Sequence, residues 1–381
     1  MLKINSKLKD SQESIFAVMS RMAKEYNAIN LSQGFPGFPI DSDLIELVNK
    51  HMKLGANQYA PMSGVPELRE AISQMHLKSN GFKYNADSEI TITAGATQGL
   101  YTAISTLINE GDEVIVFEPA YDSYVPSIKA NGGKPIYISL EHPTYDINWK
   151  EVNSRISSKT KMIIINNPHN PTGAVLNEND LKELSKIVKG SNIIILSDEV
   201  YQHIIYDGQK HCSVADYPEL RSRSIVVGSF GKSLHATGWK IGYLLAPDFI
   251  TKEIRSIHQW VVFAVNTPIQ YAIAEYISKP ENYLNVASFL QEKRDFFVDV
   301  MKDTKFDVIP SKGTYFQLMD YSKISNKSDI EFTEWLTKEK KVASVPVSVF
   351  YHEKTDHKVI RFCFAKDNSE LEQAAELLRK L

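Results

Sequence analysis

From residue 89 onward the chain repeats one pattern, a short apolar run followed by a helical stretch and then another run. The runs are "EITITAG", "DEVIVFEP", "KPIYISL", "KMIIINNP", "NIIILSDE", "SIVVGSF" and "GYLLAP". They are mostly continuous rather than alternating, the pattern of strands covered on both faces. Several intervening stretches are amphipathic. "ATQGLYTAISTLINE" places Leu100, Ala103, Ile104, Leu107 and Ile108 on one face, and "NENDLKELSKIVKG" carries Leu181, Leu184 and Ile187 ahead of Gly190. This alternation predicts an α/β fold, a mostly parallel seven-stranded sheet flanked by helices. Only about eleven residues separate the last two runs, near the lower limit for a crossover, so that pair is expected to be antiparallel.

Beyond Pro268 the pattern changes. A long helical stretch through "ENYLNVASFLQEKRDFFVDVMKD" precedes short strands at "GTYFQLM", "VASVPV" and "VIRFCFA" and a closing helix "NSELEQAAELLRKL". At 381 residues the chain is long for one core. The expected organisation is therefore an N-terminal segment 1–40 shared with a small α+β domain 276–381, and a large ligand-binding domain 41–275. A net charge of −3 offers no long-range attraction for nucleic acid or anionic lipid, which points to small-molecule substrates. Cys212 and Cys363 stand apart with no CxxC, so a reducing, cytoplasmic setting is expected. No signal-peptide core and no membrane span is legible.

Open α/β sheets bind ligands beyond the carboxyl ends of their strands, and here those ends are polar. They read "GATQ", "EPAYDSY", "NNPHNPTG", "SDEVY" and "SFGKS". Each alone is ordinary turn or capping chemistry. Five at one sheet edge are a site. Gly231-Lys232-Ser233 looks like the tail of a phosphate-binding P-loop, but the glycine required six positions earlier is Val226, which excludes that reading.

A lysine at a strand end, close to a second cation, can instead be a nucleophile toward a carbonyl cofactor. Pyridoxal 5'-phosphate makes further demands that the strand ends meet. Lys232 would take its aldehyde and Asp198 its ring nitrogen; Asn170 and Tyr201 could donate to its phenolate oxygen, and Tyr121 would stack on its ring. The amides of Ala96 and Thr97 at a helix start, with Ser229 and Lys240, suit its phosphate.

"NPHNPTG", "SDEVY", "SFGKSLHATGWKIGY" and "VIRFCFA" resemble, in order and over nearly the whole chain, the signature segments of class I aminotransferases of fold type I. "LSQGFPGFP", "NQYAPMSGVPELREAI", "TITAGATQGLY" and "HQWVVFAVNTPIQ" resemble the methionine aminotransferase branch and its kynurenine and glutamine transaminase relatives. The resemblance implies a covalent cofactor link at Lys232, a salt bridge from Asp198 to the pyridinium, and Tyr121 stacked on the ring. It also implies that Arg361, Asn170 and the backbone at Gly34 bind the substrate α-carboxylate. A homodimer is implied too, in which the second copy's residue at position 59 (Tyr59 in this sequence) reaches the cofactor phosphate. Arg361 fits on its own terms, since its flanks are apolar and a guanidinium there needs a planar anion.

Lys240 stands where the dicarboxylate-specific branch looks to have arginine, and no second arginine is marked for a side-chain carboxylate. Aspartate is therefore disfavoured as the main donor. The expected activity is ping-pong transfer of the amino group of methionine, an aromatic amino acid or glutamine to a 2-oxo acid. The competing readings are a C–S β-lyase acting on cysteine conjugates and a non-catalytic sensor on the same fold. "YHEKTDH" lacks metal-ligand spacing and is expected to be an exposed polar turn. Phe35, Phe38 and Phe263 are expected in the substrate pocket or in packing, and His203 and His235 carry no assignment.

Overall fold

The computed structural model describes residues 6–8 and 13–381; residues 1–5 and 9–12, within the segment expected at 1–40, lie outside the described residues. After the short strand β1 (Ile29–Asn30) come β2 (Ile90–Thr93), β3 (Glu113–Glu118), β4 (Lys134–Ser139) and β5 (Thr160–Asn166). They are followed by β6 (Ile194–Asp198), β7 (Ser224–Ser229) and β8 (Gly242–Leu245). The last seven form one sheet in the order β2-β8-β7-β6-β5-β3-β4.

All neighbours in it are parallel except at β8, which runs antiparallel to both β2 and β7. The link from β7 to β8 holds only the helix Phe230–Ser233 and a 3-10 turn at Thr237–Trp239. So short a link reverses the chain instead of carrying it across the sheet.

The continuous apolar runs are explained by covering on both faces. Ile163, Ile195 and Val226 enter one apolar cluster, while their neighbours Ile164, Leu196 and Val227 enter another on the opposite face. Helix Glu178–Val188 contributes Leu181 and Leu184 to the first, and helix Ala96–Leu107 contributes Leu100, Ala103 and Ile104 to the second. The first of these helices begins with a reciprocal Asn177–Asp180 capping box.

A second, antiparallel sheet has the order β12-β13-β10-β9, formed by β9 (Asp307–Ile309), β10 (Phe316–Asp320), β12 (Val345–Pro346) and β13 (Val359–Cys363). The run "VASVPV" is split, because its first half, β11 (Val342–Ala343), leaves this sheet to pair in parallel with β1. N-terminal residues thus close the C-terminal unit. Its apolar cluster holds Leu31, Phe297, Phe332 and Phe362 together with Tyr201, Ile204 and Tyr206 from the loop after β6, so the seam between the two sheets is itself apolar.

"YHEKTDH" is more than a polar turn. The backbone N–H and ring Nδ1 of His352 each lie 2.7 Å from the Glu118 carboxylate, and the His352 ring stacks on Tyr137 at 4.0 Å. Glu118 ends β3 and is buried, and a carboxylate there requires donors that only a distant segment supplies.

Gly228 of β7 faces Tyr243 of β8, whose hydroxyl is held by Gln202 at 2.6 Å and lies 3.2 Å from His76 Nε2. A Cβ at Gly228 would overlap the Tyr243 ring. Gly228→Ala is expected to cost about 2 kcal/mol or more. The urea-unfolding midpoint measures this, and an unchanged midpoint would contradict the packing described.

Candidate active site

The carboxyl ends of β2, β5, β6 and β7, with the loop after β3, meet in one cavity of about 290 Å³. Lys232, in the helical turn directly after β7, points its amine across this space to the N-terminal segment. Its Nζ lies 3.2 Å from the carbonyl oxygen of Gly34 and 3.1 Å from the hydroxyl of Tyr315. Enclosure lowers its pKa from the usual lysine range to about 8; the nearby Arg361 charge acts in the same direction and Asp198 opposes it.

Asp198 is the last residue of β6 and is buried. Burial raises its carboxyl to about 6, against the pull of the Tyr124 hydroxyl at 2.6 Å and the Val200 N–H at 3.3 Å. The sheet therefore carries a carboxylate at a strand end where, without a cationic ligand, its charge is costly. A carboxylate so placed can pair with a cation.

Arg361 is fully buried, at 0% exposure, in the centre of the second sheet. Its guanidinium lies 3.8 Å from the centre of the Phe316 ring and 4.9 Å from that of Phe16. The register explains the first contact, since Arg361 pairs with Leu318, and Phe316 is the same-face diagonal neighbour two residues away. Among the described residues, Nη1 donates to Asn170 Oδ1 at 2.8 Å, Nη2 reaches only Ser32 O at 3.5 Å, and Nε has no partner. No carboxylate pairs with Arg361 among the described residues. Burial brings it down to about 10, so it remains charged at neutral pH. A buried, charged guanidinium with unused donors at a cavity wall is an anion site.

A second anion site is built at the start of helix Ala96–Leu107. Its N-cap is Gly95 at φ +77°, and no side chain caps the helix. Lys240, in the left-handed region at φ 55°, brings its amine to this turn; a Cβ on Gly95 would lie 3.1 Å from Lys240 Nζ. Gly242 allows the helix start to sit against β8, because a Cβ there would come within 2.8 Å of the Ala96 nitrogen. Ser229 and Thr97 line the same corner, and Tyr121 stands beside them, edge-on to Tyr124 at 5.5 Å.

Of the residues singled out in the sequence, Gly34, Ala96, Thr97, Tyr121, Asn170, Asp198, Tyr201, Ser229, Lys232, Lys240 and Arg361 all line this cavity. Tyr59 does not. It is 82% exposed and packs edge-on to the equally outlying Phe263 at 5.2 Å. Phe35 lines the cavity, whereas Phe38 packs against Phe289 and His235.

Sequence reasoning missed Phe16, Tyr124, Tyr315, Phe316 and Asn166. Asn166 Oδ1 accepts from the Asn170 backbone at 2.8 Å, and its Nδ2 donates to Asp198 O at 2.9 Å. One signal was available for Tyr124, an aromatic one helical turn beyond Tyr121 in "EPAYDSY".

The chain is 47% identical over 377 residues to the methionine aminotransferase of Escherichia coli, covering 99% of this chain and 98% of that one. It is 33% identical to human kynurenine–oxoglutarate transaminase 1, over 94% of each chain. The crystal structure of the Escherichia coli methionine aminotransferase YbdL superposes with a TM-score of 0.98 at 46% identity, over the full length of both chains. That of N-succinyldiaminopimelate aminotransferase from Mycobacterium tuberculosis does so at 0.95 and 30% identity, over 99% of this chain and 100% of the other. The aminotransferase class I and II family profile matches residues 26–378, and with this cavity at the strand ends the chain belongs to that family.

Proposed function

We propose that this aminotransferase uses pyridoxal 5'-phosphate to move the amino group of an L-amino acid with a methionine-like, aromatic or glutamine-like side chain to a 2-oxo acid. The observation that carries the reading is the pairing, in one cavity, of an amine lowered to about 8 with a buried guanidinium that has no carboxylate partner among the described residues. The first suits a nucleophile and proton carrier, and the second suits a substrate carboxylate.

The residues present fit the cofactor. The uncapped helix start at Ala96 and Thr97, with Ser229 and Lys240, would hold a phosphate; Asp198 would hold a protonated ring nitrogen; Tyr121 would flank the ring, with Tyr201 and Asn170 at its edge. Bound there, the cofactor supplies an aldehyde for covalent attachment and a ring that accepts electrons. Tyr124 and Val200 hold Asp198 in the charged form that a ring cation requires. Arg361 and Asn170 bind the α-carboxylate and so present the substrate Cα–H to Lys232. Lys232 Nζ, neutral in a useful fraction near pH 8, would take the Cα proton and carry it away from Cα to the cofactor side of the cavity.

Side-chain choice follows from the walls. Phe16, Phe35 and Phe316 line the cavity, and Arg361 is the only arginine among the described lining residues. These walls favour apolar and uncharged side chains over a second carboxylate.

A homodimer is part of the reading. Tyr59, Phe263 and Trp260, the last 83% exposed, place large aromatic surface on solvent. A second copy that covers this surface would bring its own residue at position 59 to the phosphate corner. Free cysteines at 212 and 363 support a cytoplasmic setting, and no described helix is long and apolar enough to cross a membrane. Residues 41–275 are proposed as the cofactor-binding domain, with 276–381 and the segment 1–40 forming the smaller one.

Four measurements test this reading. In single half-reactions the protein mixed with methionine, phenylalanine or glutamine is expected to convert its bound cofactor to the aminated form, with aspartate at least about tenfold slower. Lys232→Ala should abolish both turnover and the visible absorbance of the attached cofactor, and retained turnover would end the assignment. Arg361→Ala should raise KM for amino acids about a hundredfold, which corresponds to about 2.7 kcal/mol of lost carboxylate binding. A KM within threefold of the wild type would contradict the role given to Arg361. Trp260→Glu should convert a dimer to a monomer in sedimentation, and an unchanged mass would remove this face from the proposed interface.

A further inference from the structure

Lys232 is held by more than the walls of its cavity. Its Nζ lies 3.2 Å from Gly34 O and 3.1 Å from Tyr315 Oη, and those two oxygens are themselves 2.8 Å apart. The direction of each bond follows from counting protons. A phenol has one, and a carbonyl has none, so the Tyr315 proton is spent on Gly34 O. The face of Tyr315 Oη turned to Lys232 is therefore an acceptor. Burial raises the Tyr315 hydroxyl well above its usual range, so that proton stays in place.

A neutral primary amine has two N–H bonds and one lone pair, at three corners of a tetrahedron. With one N–H on Gly34 O and the other on Tyr315 Oη, a single corner is left. No other hydrogen-bond partner of Nζ exists among the described residues, and Lys232 lines the cavity. We propose that Tyr315 is a positioning residue for the reacting amine, which acts as the second of two acceptors that turn the Lys232 lone pair into the cavity.

This inference rests on the function proposed above, in which that lone pair takes a proton from substrate. A structural role alone would look different. The Tyr315 ring is fixed without its hydroxyl, fully buried and packed edge-on against Tyr201 at 5.4 Å and against Phe316 at 4.8 Å. The hydroxyl can be removed from that packing with little change in shape, so its effect on the amine is separable.

The test is Tyr315→Phe, read in two ways. In the protein stripped of cofactor, Lys232 is labelled with formaldehyde and cyanoborohydride across pH and quantified by mass spectrometry. The wild-type rate should rise with a midpoint near pH 8. The variant should label at least about fivefold more slowly on the high-pH plateau, and its midpoint should lie lower, because an acceptor that favours the ammonium is gone. In the loaded enzyme, kcat for methionine should fall about tenfold with KM within twofold, and the Cα-deuterium isotope effect on kcat should increase.

A folded variant with wild-type plateau labelling and an unchanged isotope effect overturns the proposal. If Tyr315→Phe fails to fold, 4-fluorophenylalanine at position 315 keeps the shape of the ring and its para substituent and puts a poor acceptor in place of the hydroxyl oxygen. It should give losses in the same direction, and none would overturn the proposal. A wild-type protein that transaminates while the variant matches it removes Tyr315 alone. A wild-type protein with no transamination removes the functional reading and this inference together.

Discussion

The fold depends on keeping three ionisable groups close together around one cavity without joining them in salt bridges. Lys232, Asp198 and Arg361 have no ion-pair partner among the described residues, and each is displaced by burial toward its neutral form, to about 8, about 6 and about 10. Direct pairing would relieve that cost, and the scaffold prevents it by fixing each group on a different element. Asp198 ends a central strand, Lys232 sits in the turn after the next strand, and Arg361 lies on a strand of the other sheet. The charges are thereby left available to ligands, which in the proposed reading are a cationic ring nitrogen at Asp198, an aldehyde at Lys232 and a carboxylate at Arg361.

Local packing holds this separation in place. Tyr124 and the Val200 amide each donate to one oxygen of Asp198, and the Phe16 and Phe316 rings support the guanidinium of Arg361 without neutralising it. The reversed strand β8 has a role here as well. Its first residue, Gly242, packs against the start of helix Ala96–Leu107, and the link that leads into β8 carries Lys240 to the same corner. A crossover helix in place of that short link would have moved the cation away from the helix start.

Much of the site was readable because in a doubly wound sheet the strand ends are themselves the site. The seven apolar runs located those ends, and the polar residues just beyond them, from Thr97 to Lys232, line one cavity. The residues that were missed act on other residues instead of standing at a strand end. Tyr124 finds Asp198 across 74 positions of chain and Tyr315 finds Gly34 across 281, pairings that no local pattern encodes. The contact of His352 was missed for the same reason, as its partner Glu118 is 234 positions away. β1 and β9 were too short, at two and three residues, to show a period.

The sequence by itself determined the α/β class, the reversal at the last strand of the large sheet and the chemical types gathered at the strand ends. These follow from hydrophobic period, loop length and side-chain chemistry, all of them local properties of the chain. Tertiary structure alone decided which donor faces which acceptor, that Arg361 is left with unused donors, and how far each pKa moves. Those outcomes depend on desolvation and on distances of about 3 Å between segments far apart in the chain, and such distances exist only once both sheets have packed.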